Sequence, residues 1–405
     1  MKLLFLLQDI PVPPSSGHRA KVHNLLLHLA SRHECHVICF SPNANEHSAT
    51  VCEGGLPGTK VLGVYPEQSG WRIRALQAAA LVRPGQMPSA PRWRSREFAN
   101  AISEALDHHD YDVVHLDMVN MCQYVGLLRG VPSVLSLNDS VSRFHELSAK
   151  LEARSTASRL VKRLLYLVTL RAERREFPRF DRIHVVSRQE RDHLKARAGL
   201  RNVAVIPIAV DDAYVQLPEA PVDNGPITIA AAGNLSVPSI REPLCDFLTT
   251  HWRTLREKWP SLRFVVLGGR SAPAAARELF SRLDGIIFHE WIESYTDLLS
   301  ESRVGLFLDS RAGGMKTRVL EFLAAARPVV GSPAALEGIE GKDGEHFLVA
   351  RDSEEALRHI ELLARTPEMR RTMGEKARAL VRELYTRQVT GEAWERLYEE
   401  LRRRR

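Results

Sequence analysis

The sequence predicts an α/β protein made of two doubly wound parallel sheets. Three observations predict it. Apolar runs of strand length alternate with helix-length amphipathic stretches, the pattern of strands covered on both faces by helices. The alternation breaks once, in a proline-rich stretch near the middle, and then restarts. The 405 residues also exceed the size at which a single hydrophobic core usually keeps growing.

Taken in order, residues 3–7, 36–40, 113–115, 133–137, 182–186 and 203–206 read as strands of the first half. Between the first two lies an expected helix over 20–32, with Val22, Leu25, Leu26 and Leu29 at helical spacing. The stretch 210–226, containing Pro218, Pro221, Asn224, Gly225 and Pro226, reads as a linker. Beyond it, strands are expected at 227–232, 263–267, 285–288, 304–308 and 328–330, with helices around 244–257 and from about Lys316. The expected domains are 1–212 and 222–384, joined by a linker at 213–221. A closing helical segment, 385–405, is expected to cross back over the first domain. In such sheets ligands sit at the carboxyl ends of the strands.

Composition narrows the class. With 44% apolar and 26% charged residues the chain is neither disordered nor fibrous. A net charge of +7 favours anionic partners: nucleotide diphosphates, nucleic acid or acidic lipid headgroups. Five cysteines, an odd number at irregular spacing, argue against a disulfide framework and fit a reducing, cytoplasmic compartment. The apolar start, 3–7, is too short for a secretory signal core and runs straight into Asp9, so it reads as a buried strand. No apolar run approaches the roughly 20 residues of a membrane span. His33, Cys35, His36 and Cys39 suggest a metal site, but strand alternation turns His36 away from the cysteines and no second ligand pair follows. No metal is expected.

The stretch richest in chemistry is 309–324. A strand ends at Leu308, Gly313 and Gly314 form a small-residue turn, and a helix follows. Glycines allow close backbone approach, and a helix start offers unpaired N–H groups and partial positive charge. Met315, Lys316, Thr317 and Arg318 occupy that start, so two cations stand where helices normally prefer acids. An anion such as a diphosphate explains the inversion; solvated cations are the plainer alternative. Glu321 lies on the same helix, where its carboxylate can accept hydrogen bonds from ribose hydroxyls.

Continued through Arg327-Pro328-Val329-Val330 and Glu337-Gly338, this stretch resembles the donor-site signature of family-four retaining glycosyltransferases of the GT-B fold. The resemblance implies two Rossmann-like domains facing across a cleft and a nucleotide-sugar donor, a UDP- or GDP-sugar, used without a metal. It implies that Gly314, Met315 and the following amides meet the donor phosphates, and that Lys316 or Arg318 neutralises them. Val319 and Leu320 would pack near the ribose, and Glu321 would hold its hydroxyls. Many family members carry two acids around this turn, and the earlier position here is Gly313.

The same resemblance extends to other segments. Gly17, within the turn 11–19, would face the donor phosphates, with His18 or Arg19 touching an anionic ligand. Gly233 and Asn234 would lie beside the transferred group, with Arg241 the available cation beyond them. Trp291 and Ile292 would bracket the base, against the alternative that Trp291 is core packing. Asp139 stands nearest to the family's polar pair by the reacting sugar, which would make it catalytic alongside Lys316; its other reading is an N-cap. The one Asp-x-Asp, residues 110–112, precedes a strand, the wrong end for a ligand.

One segment stands apart from this reading. The block 150–182 carries ten Lys or Arg against four acids. Within it Arg159, Lys162, Arg163 and Tyr166 form a polar stripe, and Leu160, Leu164, Leu165 and Val168 an apolar one. That suits a helix lying on an acidic membrane surface, and equally a domain helix with a solvated outer face. Nucleic-acid binding is not expected, since no zinc module or aromatic-rich basic sheet motif occurs. Two other readings remain: a nucleotide-sugar epimerase of the same fold, and a non-catalytic partner subunit. The acceptor, whether glycan, lipid-linked or small molecule, is open.

Overall fold

The computed structural model describes residues 1–14, 16–42, 54–82, 85–152, 155–218 and 227–404. The chain forms two compact units. The first is Met1–Ala209 with Arg387–Arg405, and the second is Val210–Thr386.

The first unit is built on seven parallel strands: β1 (Lys2–Leu7), β2 (Glu34–Ser41), β3 (Thr59–Pro66), β4 (Val113–Asp117), β5 (Ser133–Ser136), β6 (Arg182–Val185) and β7 (Val203–Val205). Their order is β3-β2-β1-β4-β5-β6-β7. The run Leu3–Leu7 is the middle of this sheet because every side chain in it is apolar and wholly buried. Leu4 and Leu6 face one core layer with Ile38, Phe40, Phe98 and Leu116. Leu3, Phe5 and Leu7 face the other, which the helix Arg387–Arg402 completes with Trp394, Leu397, Tyr398 and Leu401.

The second unit repeats the plan with β8 (Thr228–Ala232), β9 (Arg263–Leu267), β10 (Ile286–His289), β11 (Val304–Phe307), β12 (Val329–Gly331) and β13 (Leu348–Val349), ordered β10-β9-β8-β11-β12-β13. Both sheets are doubly wound. Their strand order reverses between β1 and β4 and between β8 and β11, which marks where a ligand crevice opens.

Two strands escaped sequence reading. β3 is a half-exposed edge interrupted by Gly63, over which the Tyr65 ring lies, and β13 has only two residues. Of the stretch read as a linker, 219–226 lies outside the described residues, as does Cys52. Residues 210–218 hold a short helix, Asp212–Val215, and are tied to the second unit through Val210 N to Tyr385 O (2.8 Å) and Arg378 to Leu217 O (2.7 Å).

Cys35 and Cys39 are buried on one face of β2, and burial pushes the Cys35 thiol up to about 12. His36 turns to the other face and meets the Tyr111 hydroxyl at 2.7 Å. Among the described residues no group of three metal-ligating side chains forms. The second acid of the Asp-x-Asp, Asp112, is structural: it accepts from the Lys2 amide (2.7 Å) at the amino end of the sheet.

Candidate functional site

In the second unit β11 ends at Phe307 and the chain passes through the glycine turn to the eight-residue helix Thr317–Ala324. Gly313 (φ 136°) and Gly314 (φ 59°) take backbone conformations that side chains disfavour. A Cβ on Gly313 would meet nothing within 4 Å, so this side of the turn is open. Its amide donates to the Glu337 carboxylate at 3.2 Å.

The helix start differs from expectation in one respect. Lys316 lies at the N-cap rather than in the first turn, and a lysine has no acceptor with which to cap. Its ammonium folds back to the carbonyl of Gly313. The amides of Val319 and Leu320 are bonded to Lys316 O, whereas those of Thr317 and Arg318 find no acceptor among the described residues. Arg318 is held by Asp309, a buried carboxylate at the strand end, and lies over the Phe307 ring (5.8 Å). Gly233 stands against that guanidinium: a Cβ there would come within 3.5 Å of Arg318 Nε. Gly233, Leu235, Ile240, Leu267, Asp309 and Arg318 line one pocket at the point where the strand order reverses.

Glu321 follows one turn along. Burial is the main cause that pushes its carboxyl up to about 7, with nearby Asp211 adding to the rise and Tyr295 and Arg318 opposing it. The Tyr295 hydroxyl faces this carboxyl, and burial together with the Glu321 charge pushes it well above the usual tyrosine range. Tyr214 packs edge-on against Tyr295 (5.9 Å). Val319 and Leu320 are wholly buried and Met315 is nearly so. The first two were expected beside a ribose; their side chains seat the helix in the core.

The remaining expected residues fall as follows. Asn234 Oδ1 accepts from the Ser236 amide (3.0 Å) and shapes the loop after β8. Arg241 folds onto the carbonyl of Leu235 (2.9 Å), so it braces that loop. Trp291 is not core packing: it is 59% exposed beyond β10, with the Arg270 guanidinium over its ring at 5.9 Å. Ile292 beside it is half-buried.

In the first unit Gly17 opens the helix Gly17–Leu29. His18 (2.9 Å) and Arg19 (2.7 and 2.8 Å) both bond Asp9, just after β1, so these side chains are joined to the turn rather than displayed from it. Lys21 forms a buried pair with Asp117 (2.7 Å) and also donates to Ser136 (2.9 Å). Asp139 follows β5 and lines a pocket of about 290 Å³ with Met118, Asn138, Val141 and His145. Met118 has φ 73°, a strained conformation for this residue. Asp139 is not the N-cap. Ser140 is, accepting from Arg143 N at 3.2 Å.

The sequence matches a description of Glycosyltransferase Family 4 over residues 16–214 and of a glycosyl transferase-like family over 246–396. A comparison with curated proteins found no match. Among solved structures, a sucrose-phosphate synthase from Thermosynechococcus elongatus is 17% identical with a TM-score of 0.70, each chain covered to 99%. Anabaena HepE in complex with UDP and glucose is 14% identical with a TM-score of 0.67, covering 98% of this chain and 99% of its own. Trehalose-6-phosphate synthase OtsA is 12% identical with a TM-score of 0.64, covering 98% and 99%. At these identities the likeness establishes the GT-B fold.

Proposed function

Because this chain belongs to glycosyltransferase family 4, and is thus a nucleotide-sugar-dependent transferase, we propose that it takes a UDP-sugar and transfers the sugar with retention. The observation that carries the reading is the start of helix Thr317–Ala324. Two amides there find no acceptor among the described residues, two cations stand beside them, and a carboxylate follows one turn on.

A pyrophosphate placed against those amides satisfies both donors and meets the positive end of the helix. Lys316 exchanges the Gly313 carbonyl for a phosphate oxygen, and Arg318, fixed by Asp309, meets the same group. As the anomeric bond breaks, negative charge grows on the departing diphosphate. Donors already aimed there stabilise that charge without reorganising. The ribose hydroxyls donate to Glu321, which favours its ionised form.

Uridine as the base is supported by the GT-B structure of HepE, whose complexes hold UDP or UDP-glucose. Trp291 and Ile292 are the base-side residues of this reading. Glu337, through its bond to the Gly313 amide, supplies a carboxylate at a turn whose own residue 313 has none. Asp139 is the proposed catalytic carboxylate of the first unit. Its neighbours Glu173 and Glu190 are taken up by serine and backbone donors.

Thermal melting with UDP-, GDP- and ADP-sugars tests the proposal, since a ligand that binds only the native state raises the melting temperature. UDP and UDP-sugars should raise it, and Lys316→Ala and Glu321→Ala should cancel the rise. A response to GDP-sugars alone would replace the base. No response to any nucleotide would overturn the reading.

A further inference from the structure

The helix Thr156–Glu176 and its partner Val141–Leu151 form a hairpin on the first unit. Its outer half reverses what an ordinary domain helix shows. Leu160 (68% exposed), Leu164 (53%) and Leu167 (59%) recur at spacings of four and three, so they form one outward ridge, with Val161 beside it. Leu151, near the hairpin tip, is exposed as well. Scattered single apolar residues need no explanation, but a contiguous ridge of this kind marks a surface that meets something apolar.

Beside the ridge, between the two helices, opens a pocket of about 500 Å³ lined by Lys150, Arg159, Arg163, Tyr166 and Leu167, with one acid, Glu146. Glu146 is engaged by Lys150 at 2.9 Å. Arg159 and Arg163 form no ion pair among the described residues. The guanidinium groups therefore flank the ridge with their charge uncompensated. A third cation, Arg171, continues the line of the ridge one turn beyond Leu167.

We propose that this hairpin docks the protein on an acidic lipid bilayer. The leucine ridge enters the boundary between headgroups and acyl chains, and Arg159 and Arg163 meet lipid phosphates in and around the pocket. Charge complementarity selects this occupant. A second copy of the chain packing ridge on ridge would bring two uncompensated arginine rows together, whereas an anionic headgroup layer neutralises them. The span is a surface contact: no helix among the described residues is long and apolar enough to cross a membrane.

The test is co-sedimentation of the full chain with vesicles of phosphatidylcholine, with and without phosphatidylglycerol. The protein should partition onto the anionic vesicles and release as salt is raised. Arg159→Gln with Arg163→Gln should weaken partitioning about thirtyfold, from about fivefold per basic residue at an anionic surface. Leu160→Ser with Leu164→Ser and Leu167→Ser should abolish it while leaving the melting temperature and UDP response unchanged. The proposal is overturned if the wild type stays in the supernatant of anionic vesicles, or if either variant sediments like the wild type. It is equally overturned if the chain is a dimer that the leucine variant converts to a monomer, since the ridge is then an interface between copies. Because UDP response is read separately, failure of lipid binding and failure of the donor site are distinguishable.

Discussion

Two helices in this molecule begin just beyond the carboxyl end of a parallel strand, and they treat the same physical problem in opposite ways. Each has amides with no partner inside the helix and a partial positive charge at its start. At Val141–Leu151, after β5, the protein fills the place itself. Ser140 N donates to Glu190 (2.8 Å), Ser142 N to Glu173 (3.0 Å), and Arg143 N to the Ser140 hydroxyl. At Thr317–Ala324, after β11, the N-cap is a lysine and two amides have no acceptor among the described residues. A helix start becomes an anion site when the chain declines to close it. The first unit uses two buried carboxylates for closure, and the second leaves the position to the ligand proposed above.

The largest effect expected from this contrast is catalytic. Lys316→Ala should lower turnover with a UDP-sugar by about 10²–10³-fold, the usual cost of losing one donor at a developing oxyanion. Single-turnover rates measure it, and an unchanged rate would mean that the second helix start is as inert as the first. Next comes stability. Arg318→Ala leaves Asp309 buried without its partner, which should cost about 3 kcal/mol in urea unfolding. Asp309→Ala added to it should return most of that loss, because no stranded charge remains. If the double variant is as unstable as the single, the pair is not what fixes Arg318.

The second site was legible because its parts lie close together in sequence. Strand end, Gly313, Gly314, Lys316, Arg318 and Glu321 fall within a few turns, so spacing alone places them around one helix start. The closure of the first helix was not legible, since Glu173 and Glu190 lie 33 and 50 residues beyond Ser140 and no local pattern announces them. Distance in sequence also hid Tyr295 and Tyr214 near Glu321. The partner of Arg19 was hidden for a different reason: an exposed-looking cation near a glycine carries no sign that Asp9 will bond it. For the hairpin, periodicity showed two stripes on helix Thr156–Glu176 but not which one meets the core. Leu160 and Leu164, of the apolar stripe, lie outside. The edge strand β3 was lost to Gly63 and its own exposure, whereas the buried strands stood out by their unbroken apolar runs.

Both helix starts also carry a carboxyl pushed up to about 7, and pH should separate them. At Glu190 burial is the leading cause, Asp139 adds to it and Arg143 opposes it. At Glu321 burial again leads. An unfolded carboxyl titrates near 4.5, so between that value and about 7 the folded state binds the extra proton. Stability from these groups is therefore complete below about pH 4.5 and is lost as pH rises through 7. Glu190→Gln should flatten the fall in unfolding free energy over this window, by an amount on the order of 3 kcal/mol, and leave UDP affinity alone. At Glu321 the ligand should favour the ionised form, so UDP affinity should rise from pH 6 to 8 and binding should release a proton. Affinity that is flat with pH would separate Glu321 from the ribose.

The smallest effect concerns the cap itself. Ser140→Ala removes the acceptor of the Arg143 amide and a donor to Glu173 (2.9 Å). Loss of a serine N-cap typically costs about 1 kcal/mol, and equilibrium unfolding should show a loss of that order. UDP affinity should be unchanged, since the helix concerned keeps its remaining carboxylates and binds no donor phosphate. Thr317–Ala324 offers the complementary change. Lys316→Ser gives that helix an acceptor of the kind Ser140 supplies, which should stabilise the free protein slightly while weakening UDP. A serine that raised both would show that ligand and cap do not compete for the same amides, and the contrast between the two helix starts would no longer explain the site.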